Sequence, residues 1–147
     1  MTIRNAEIND VEKLAVLFDA YRIFYEQPSN KKEAYIFLFE RITHKESRIL
    51  IATEADELVG FVQLYPIFSS TKMKKLWLLN DLYILEKNRG HGISKQLIEK
   101  CKDLCKETKA VGILLETAKT NKTGNSLYTK TGFNLDVNHN YYSWNNY

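Results

Sequence analysis

Three β-rich stretches follow one another between residues 48 and 85, and they restrict the possible folds more than any other feature of the sequence. They read RILIAT, LVGFVQLY and KKLWLLNDLYIL, and the polar connection EADE joins the first two. Short runs rich in β-branched and aromatic residues, separated by a few polar residues, are typical of strands in a hairpin. The sequence therefore predicts a hairpin and a third long strand in one sheet.

Helices and further strands are predicted on both sides of this segment. Residues 2–8 predict a short strand. A helix follows, with apolar residues at helical spacing over 11–21 and a capping box that begins at Asn9. A second helix begins at a cap at Asn30 and runs to about His44.

The last third of the sequence alternates helices and strands. An amphipathic helix ends near Lys106, the run VGILLET predicts a strand, and a short helix within 121–133 ends at Gly132. The runs FNLDV and YYSWN predict a closing pair of strands. The complete order indicates one α/β domain that spans residues 1–147.

Several observations bear on location and on metals. No run of about 18 apolar residues occurs, so we expect no membrane span, and the start MTIRNAEIND is too polar for a secretory signal, which indicates the cytoplasm. Cys101 and Cys105 lie four residues apart on the apolar face of a predicted helix, where cysteine packs as a small hydrophobic residue. No cluster of His or Cys residues accompanies them, and we expect no metal site.

Charge is unevenly distributed along the chain. Residues 1–70 carry 8 Lys+Arg against 11 Asp+Glu, whereas residues 71–147 carry 13 against 7. Nucleic acid is one anionic partner of a basic half, but the basic residues are scattered and form no zinc finger or basic helix. We expect no nucleic-acid partner, because a phosphorylated small ligand fits this pattern better.

Two glycines in the basic half, Gly90 and Gly92, lie between a predicted strand and a predicted helix. Glycine allows close approach to the backbone, and the first-turn amides and dipole of a helix attract negative charge. The pattern is neither a P-loop nor a Rossmann fingerprint, whose third glycine is replaced by Lys95. A phosphate-binding loop and a plain turn both remain consistent with these residues alone.

Two segments together resemble one superfamily. Lys87-Asn88-Arg89-Gly90-His91-Gly92 resembles the Q/R-x-x-G-x-G/A loop of the GNAT superfamily of acyl-CoA N-acyltransferases, and Asn121 through Phe133 resembles its N-x-x-A-x-x-L-Y-x-x-x-G-F segment. The predicted order of elements matches over nearly the whole chain. The resemblance implies acetyl-CoA as co-substrate and a mixed, mostly antiparallel sheet of six or seven strands with about four helices. It also implies a splayed strand pair that admits the cofactor.

The resemblance further implies which residues contact the cofactor. The backbone of residues 82–84 would pair with the pantetheine arm, the glycine loop would hold the pyrophosphate, and Tyr128 would protonate the departing thiolate. The implied cofactor-binding residues are Leu82, Tyr83, Ile84, Lys87, Arg89, Gly90, His91, Gly92, Ile93, Ser94, Lys95, Asn121, Ser126, Tyr128 and Lys130.

The group that deprotonates the amine is less determined. Among superfamily members the spermidine/spermine N-acetyltransferases look closest, and they have a Glu-Asp pair where this chain has Asn80-Asp81. Asn80 cannot accept a proton, so deprotonation runs through Asp81 or through water, and a purely structural Asp81 is the alternative. Strand alternation sends the two side chains to opposite faces unless a bulge intervenes.

The acceptor is expected to be a primary amine on a small molecule, such as a polyamine or an amino-acid-like compound. A peptide lysine acceptor and a non-catalytic acyl-CoA sensor are alternatives, and a homodimer is expected by analogy. The residues predicted to contact the acceptor are Tyr21, Phe24, Tyr25, Gln27, Trp77 and Asn80, because aromatic faces bind ammonium groups.

Overall fold

The computed structural model describes residues 1–147 as two compact units, Met1–Glu116 and Thr117–Tyr147. The strands, all in the first unit, are β1 (Thr2–Asn5), β2 (Arg48–Glu54), β3 (Glu57–Ser69), β4 (Lys74–Ile84) and β5 (Ile113–Leu114). The helices are α1 (Val11–Phe24), α2 (Lys31–Thr43) and α3 (Ile93–Glu107) in the first unit, and α4 (Lys122–Lys130) in the second. None of them combines the length and hydrophobicity that a membrane-spanning helix requires.

The five strands form one sheet in the order β1-β2-β3-β4-β5. Neighbouring strands from β1 to β4 are antiparallel, and β5 is parallel to β4. The predicted hairpin is confirmed: Glu54 pairs with Glu57, and the two residues between them, Ala55 and Asp56, have the positive φ angles that a tight two-residue hairpin turn requires. The α+β class and the mixed, mostly antiparallel sheet are likewise as predicted.

Helices cover both faces of this sheet. On one face α1 and α2 pack against Ile49, Ile51 and Phe61. On the other face α3 packs against a second cluster that includes Leu50 and Ala52 of the same strand. Because β2 is covered on both sides, its sequence is a continuous apolar run rather than an alternating one.

The end of the chain differs from the prediction. Residues 134–147 contain no strand, so the sheet has five strands and not six or seven. The Asp136 carboxylate accepts hydrogen bonds from the backbone N–H groups of Asn138 and His139, which turns the chain locally and competes with strand pairing. The predicted strand VGILLET is likewise reduced to the two residues of β5.

The predicted helix caps are partly correct. Asn30 caps α2 by accepting a hydrogen bond from the N–H of Glu33 at 3.1 Å. The capping box expected at Asn9 is wrong, because the chain enters α1 through a 3-10 turn that is capped reciprocally by Glu7 and Asp10. The spacing of residues in the sequence did not predict this turn, because the turn is a separate capped segment that precedes α1.

Candidate functional site

A buried polar network surrounds Asp81 on β4. Its Oδ1 accepts hydrogen bonds from the Tyr21 hydroxyl at 2.8 Å and from Asn80 Nδ2 at 3.0 Å. Its Oδ2 accepts one from Gln63 Nε2 at 2.7 Å, and Gln63 Oε1 in turn accepts one from Ser47 Oγ at 2.8 Å. Asp81 is only 5% exposed and Gln63 is fully buried. The network therefore joins α1, β3, β4 and the start of β2 around one carboxyl group.

The surroundings of Asp81 raise its pKa above the ordinary aspartate value. Burial is the main cause, and the hydrogen bonds from Gln63, Tyr21 and Asn80 oppose it without cancelling it. The same environment raises the pKa of the neighbouring Tyr65 to about 12, first through burial and then through the Asp81 charge. A carboxyl group with a raised pKa is a better proton acceptor than a solvated one, which is a property of catalytic bases.

A β-bulge explains why the neighbours Asn80 and Asp81 lie so differently. Gln63 pairs with Asp81, but the next residue of β3, Leu64, pairs with Leu79, so Asn80 is the extra residue of β4. Asn80 is exposed while Asp81 is buried. Strand alternation would have sent Asn80 and Asp81 to opposite faces, but a bulge is present. It allows the Asn80 amide to donate a hydrogen bond to the Asp81 carboxylate.

An aromatic cluster adjoins this carboxyl group through Tyr21. The Tyr21 ring lies 5.0 Å from Tyr25 and 6.0 Å from Tyr83, centroid to centroid, and Phe24 lies 5.2 Å from Tyr25. The Arg89 guanidinium carbon lies 5.3 Å from the Phe24 ring centroid and 5.4 Å from that of Tyr83. Phe24 and Tyr25 are half-exposed or more, at 58% and 50%, so the cluster has a face that a ligand can reach.

Two further residues predicted to contact the acceptor lie elsewhere. Trp77 is only 4% exposed, belongs to the core beneath α3, and donates its indole N–H to Thr108 Oγ1 at 2.9 Å. A side chain so enclosed cannot line an open pocket, and its prediction as a contact residue is corrected. Gln27 is exposed in the connection after α1, where its N–H donates to the Arg22 carbonyl.

The glycine loop leads from β4 into α3. Gly90 and Gly92 have φ angles of 82° and 78°, in the left-handed region that favours glycine, and Gly92 is the N-cap of α3. A Cβ atom at either glycine would meet no other atom within 4 Å, so backbone conformation, not crowding, requires glycine here. The exposed first turn of α3 presents its N–H groups at this loop, as an anion site needs.

The side chains of the loop are mostly bonded within the protein. Arg89 donates through Nε to the Ile84 carbonyl at 2.9 Å, His91 Nδ1 lies 3.2 Å from the Asn88 carbonyl oxygen, and Lys87 forms an exposed ion pair with Glu57 at 3.5 Å. Ile93 is buried, Ser94 is partly exposed and Lys95 is exposed. The backbone is therefore the part of the loop best placed to bind a phosphate.

The sheet opens beside residues 82–84. β5 pairs with β4 only at Trp77 and Leu78, so the stretch from Leu79 to Ile84 has β3 as its only neighbouring strand. No strand pairs with Leu82, Tyr83 and Ile84 on the β5 side, although the Ile84 carbonyl accepts a hydrogen bond from Arg89. This is the splayed strand pair that the resemblance to the superfamily implied.

The second unit carries the other predicted cofactor residues on α4. Asn121 caps the helix by accepting from the Gly124 N–H at 3.0 Å. At the other end Phe133 N–H donates to the Tyr128 carbonyl and Gly132 adopts φ 93°, and the Phe133 ring lies 5.8 Å from the Tyr128 ring. This Schellman ending fixes the half-buried Tyr128 side chain against Phe133. Ser126 and Lys130 are exposed on the same helix.

Gln63 and Ser47 are site residues that the sequence reasoning missed. A signal was present, because a glutamine inside the apolar run LVGFVQLY must find a partner if the strand is buried. No group of three or more His, Cys, Asp or Glu side chains is arranged to hold a metal ion.

Comparison with known proteins gives consistent relatives. Residues 14–133 match the model of the acetyltransferase (GNAT) family. The uncharacterized N-acetyltransferase YhfO of Bacillus subtilis is 39% identical over 145 residues, which cover 99% of this chain and 97% of that protein. A probable acetyltransferase of Haemophilus influenzae is 34% identical and covers 92% of each chain. The crystal structure of a probable acetyltransferase superposes with a TM-score of 0.95 at 35% identity, covering 100% of this chain and 99% of the other.

Proposed function

Because this chain belongs to the acetyltransferase (GNAT) family, whose members generally use acetyl-CoA, we propose that it transfers an acetyl group from acetyl-CoA to a primary amine of a small molecule. The observation that carries this proposal is Asp81, a buried carboxyl group with a raised pKa that adjoins a half-exposed aromatic cluster. The two features supply a proton acceptor and, beside it, an accessible surface for the amine substrate.

The proposed cofactor contacts are those of the opened sheet and the glycine loop. The backbone of Leu82, Tyr83 and Ile84, which β5 does not cover, pairs with the pantetheine arm and donates to the thioester carbonyl. The first N–H groups of α3 and the loop at Gly90 and Gly92 hold the pyrophosphate. Acetyl-CoA supplies the activated acetyl group.

Asp81 accepts the proton that the amine nitrogen loses. The carboxylate is almost fully buried, whereas Tyr21, whose hydroxyl donates to it, is only partly buried. In this proposal the Tyr21 hydroxyl gives its proton to Oδ1 and takes the proton of the amine. The bond from nitrogen to the acetyl carbon forms, and the bond from that carbon to sulphur breaks. Tyr128 protonates the departing thiolate, as the resemblance of its segment implies.

Arg89 narrows the class of acceptor. Its guanidinium lies beside Phe24 and Tyr83, so the exposed aromatic cluster carries a positive charge. That charge repels the second ammonium group of a polyamine and attracts a carboxylate. Of the two small-molecule classes, we therefore propose the amino-acid-like amine over the polyamine.

Thiol release from acetyl-CoA, measured against a panel of amines, tests this function. The panel contains polyamines, amino acids, aminoglycosides and lysine peptides, each with wild type and with Tyr128→Phe. We expect turnover with an amino-acid-like amine and a loss of about tenfold or more in the variant. Turnover only with lysine peptides would identify a protein acceptor, and coenzyme A binding without any turnover would identify a sensor.

A further inference from the structure

Gln63 is fully buried at the centre of an otherwise apolar strand, and both ends of its amide are occupied. Nε2 donates to Asp81 Oδ2 at 2.7 Å, and Oε1 accepts from Ser47 Oγ at 2.8 Å. A buried amide is costly unless it is hydrogen-bonded, so these two contacts determine its orientation. The ionised carboxylate only accepts hydrogen bonds and therefore takes the NH₂ group, and the Ser47 hydroxyl satisfies the buried Oε1 at the other end.

The groups that donate hydrogen bonds to Asp81 are all neutral, so the bond from the Gln63 amide matters for the charge of this carboxyl group. Tyr21 from α1 and Asn80 from the bulge are neutral donors to Oδ1, and Tyr65 from β3 also lies close by. The charged groups in the vicinity, Arg41 and Glu46, act on Tyr65 and pair with each other at 3.2 Å. No cation is hydrogen-bonded to Asp81, so neutral donors alone favour its ionised form.

We propose that Gln63 and Ser47 are positioning residues for the acetyl-transfer reaction: Ser47 satisfies and polarises the Gln63 amide, and the amide holds Asp81 ionised with Oδ1 turned toward Tyr21. The inference rests on the proposed function, in which Asp81 takes the amine proton. The amide occupies Oδ2, and the proton reaches Oδ1 along the hydrogen bond from the Tyr21 hydroxyl.

Ser47 allows a specific test, because its hydroxyl donates to Gln63 and not to Asp81. Without the serine hydroxyl the buried Gln63 Oε1 loses its hydrogen-bond donor. The amide is then less polarised, so its NH₂ group donates a weaker hydrogen bond to Asp81 and favours the ionised form less. Removing Ser47 therefore changes the proton affinity of a group that it does not touch.

The experiment measures kcat/KM against pH for wild type, Gln63→Leu, Ser47→Ala and the double variant. Ser69→Ala, which removes a hydroxyl from an exposed turn at the end of β3, is the matched control. Loss of one donor to a charged group predicts kcat/KM about tenfold lower at the acid end of the profile in Gln63→Leu, with a smaller loss at high pH. At the acid end, kcat/KM of Ser47→Ala should lie between the values of wild type and Gln63→Leu. The double variant should have the same kcat/KM as Gln63→Leu.

An unmoved acid limb in either folded single variant overturns the proposal. Ser47 is partly exposed, so Ser47→Ala decides the matter even if Gln63→Leu does not fold. The carboxyl ¹³C resonance of Asp81, assigned by its absence in Asp81→Asn, gives a second readout without turnover. If the acid limb persists in Asp81→Asn, the proposed base is wrong, and the Asp81 titration in the two variants still tests whether Gln63 and Ser47 control its pKa.

Discussion

Two aspartates are buried in this protein, and their surroundings shift their pKa values in opposite directions. Asp19 of α1 is 1% exposed and accepts hydrogen bonds from Ser29 Oγ and from the Asn30 N–H, both at 2.7 Å. Burial alone would raise its pKa, but these bonds and the Arg22 charge outweigh burial and lower it. At Asp81 burial prevails over three neutral side-chain donors, and the pKa is raised.

The difference shows what separates a structural acid from a reactive one. Asp19 fastens the connection between α1 and α2 by taking a backbone N–H and a hydroxyl group from that connection, with a cation 3.8 Å away. Its ionised form is stable, so it holds the fold and has little tendency to take a proton. Asp81 has no such cation, and burial destabilises its ionised form. A carboxylate of this kind takes up a proton more readily, as a proton acceptor must.

The largest expected effect is on catalysis at Asp81. Asp81→Asn keeps the shape of the side chain but removes the proton acceptor, so we expect kcat/KM to fall by about 100-fold or more. The melting temperature should rise, because a buried charge with a raised pKa destabilises the fold at neutral pH. Thiol release and differential scanning calorimetry measure the two effects.

Asp103→Asn is the control for this variant, since Asp103 is an exposed acid on α3 with only surface lysine partners. It should leave both quantities unchanged. A loss of stability in Asp81→Asn with retained activity would reverse the comparison and identify Asp81 as a structural acid.

Asp19→Asn should give the opposite pair of results. One of its two short hydrogen bonds loses a charged acceptor in a buried site, and we expect the free energy of unfolding to fall by about 1–3 kcal/mol. The value of kcat in the pH range where it is constant should change less than twofold, because the partners of Asp19 do not belong to the Asp81 network. Urea denaturation gives the first quantity, and a large drop in kcat at unchanged KM would contradict the division of roles.

The smallest effect is a difference in how stability depends on pH. The lowered folded-state pKa of Asp19 contributes stability above the ordinary value of 3.8, and this contribution is lost as pH falls through the folded-state pKa. The raised pKa of Asp81 acts in the other direction, since its destabilising charge is neutralised as pH falls through the folded-state pKa toward 3.8.

Unfolding free energies of wild type, Asp19→Asn and Asp81→Asn between pH 3 and pH 7 test these signs. The unfolding free energy by which wild type exceeds Asp19→Asn should shrink toward acid pH. The unfolding free energy of wild type should lie below that of Asp81→Asn at neutral pH. This difference should also shrink as pH falls, over a higher pH range than for Asp19. Curves that change in parallel would mean that neither site has the assigned pKa shift.

Much of the site's framework could be predicted from local sequence. The left-handed glycines at 90 and 92, the Asn30 and Asn121 caps and the ending at Gly132 all depend on residues within a few positions of one another. Such features are encoded by conformational preference and by short-range hydrogen bonds. The closing strands failed for a related reason, because apolar alternation does not reveal the Asp136 turn.

The sequence by itself determined the α+β class, the glycine loop and the position of Asp81 on a central strand. Only the tertiary structure decided that Asn80 forms a bulge, that Trp77 is buried, and that Gln63 and Tyr21 meet on Asp81. Tyr21 and Asp81 are 60 residues apart in the chain, and Gln63 and Asp81 are 18 apart. A pKa depends on everything that displaces water from the group, and those neighbours come together only when the sheet and helices have packed.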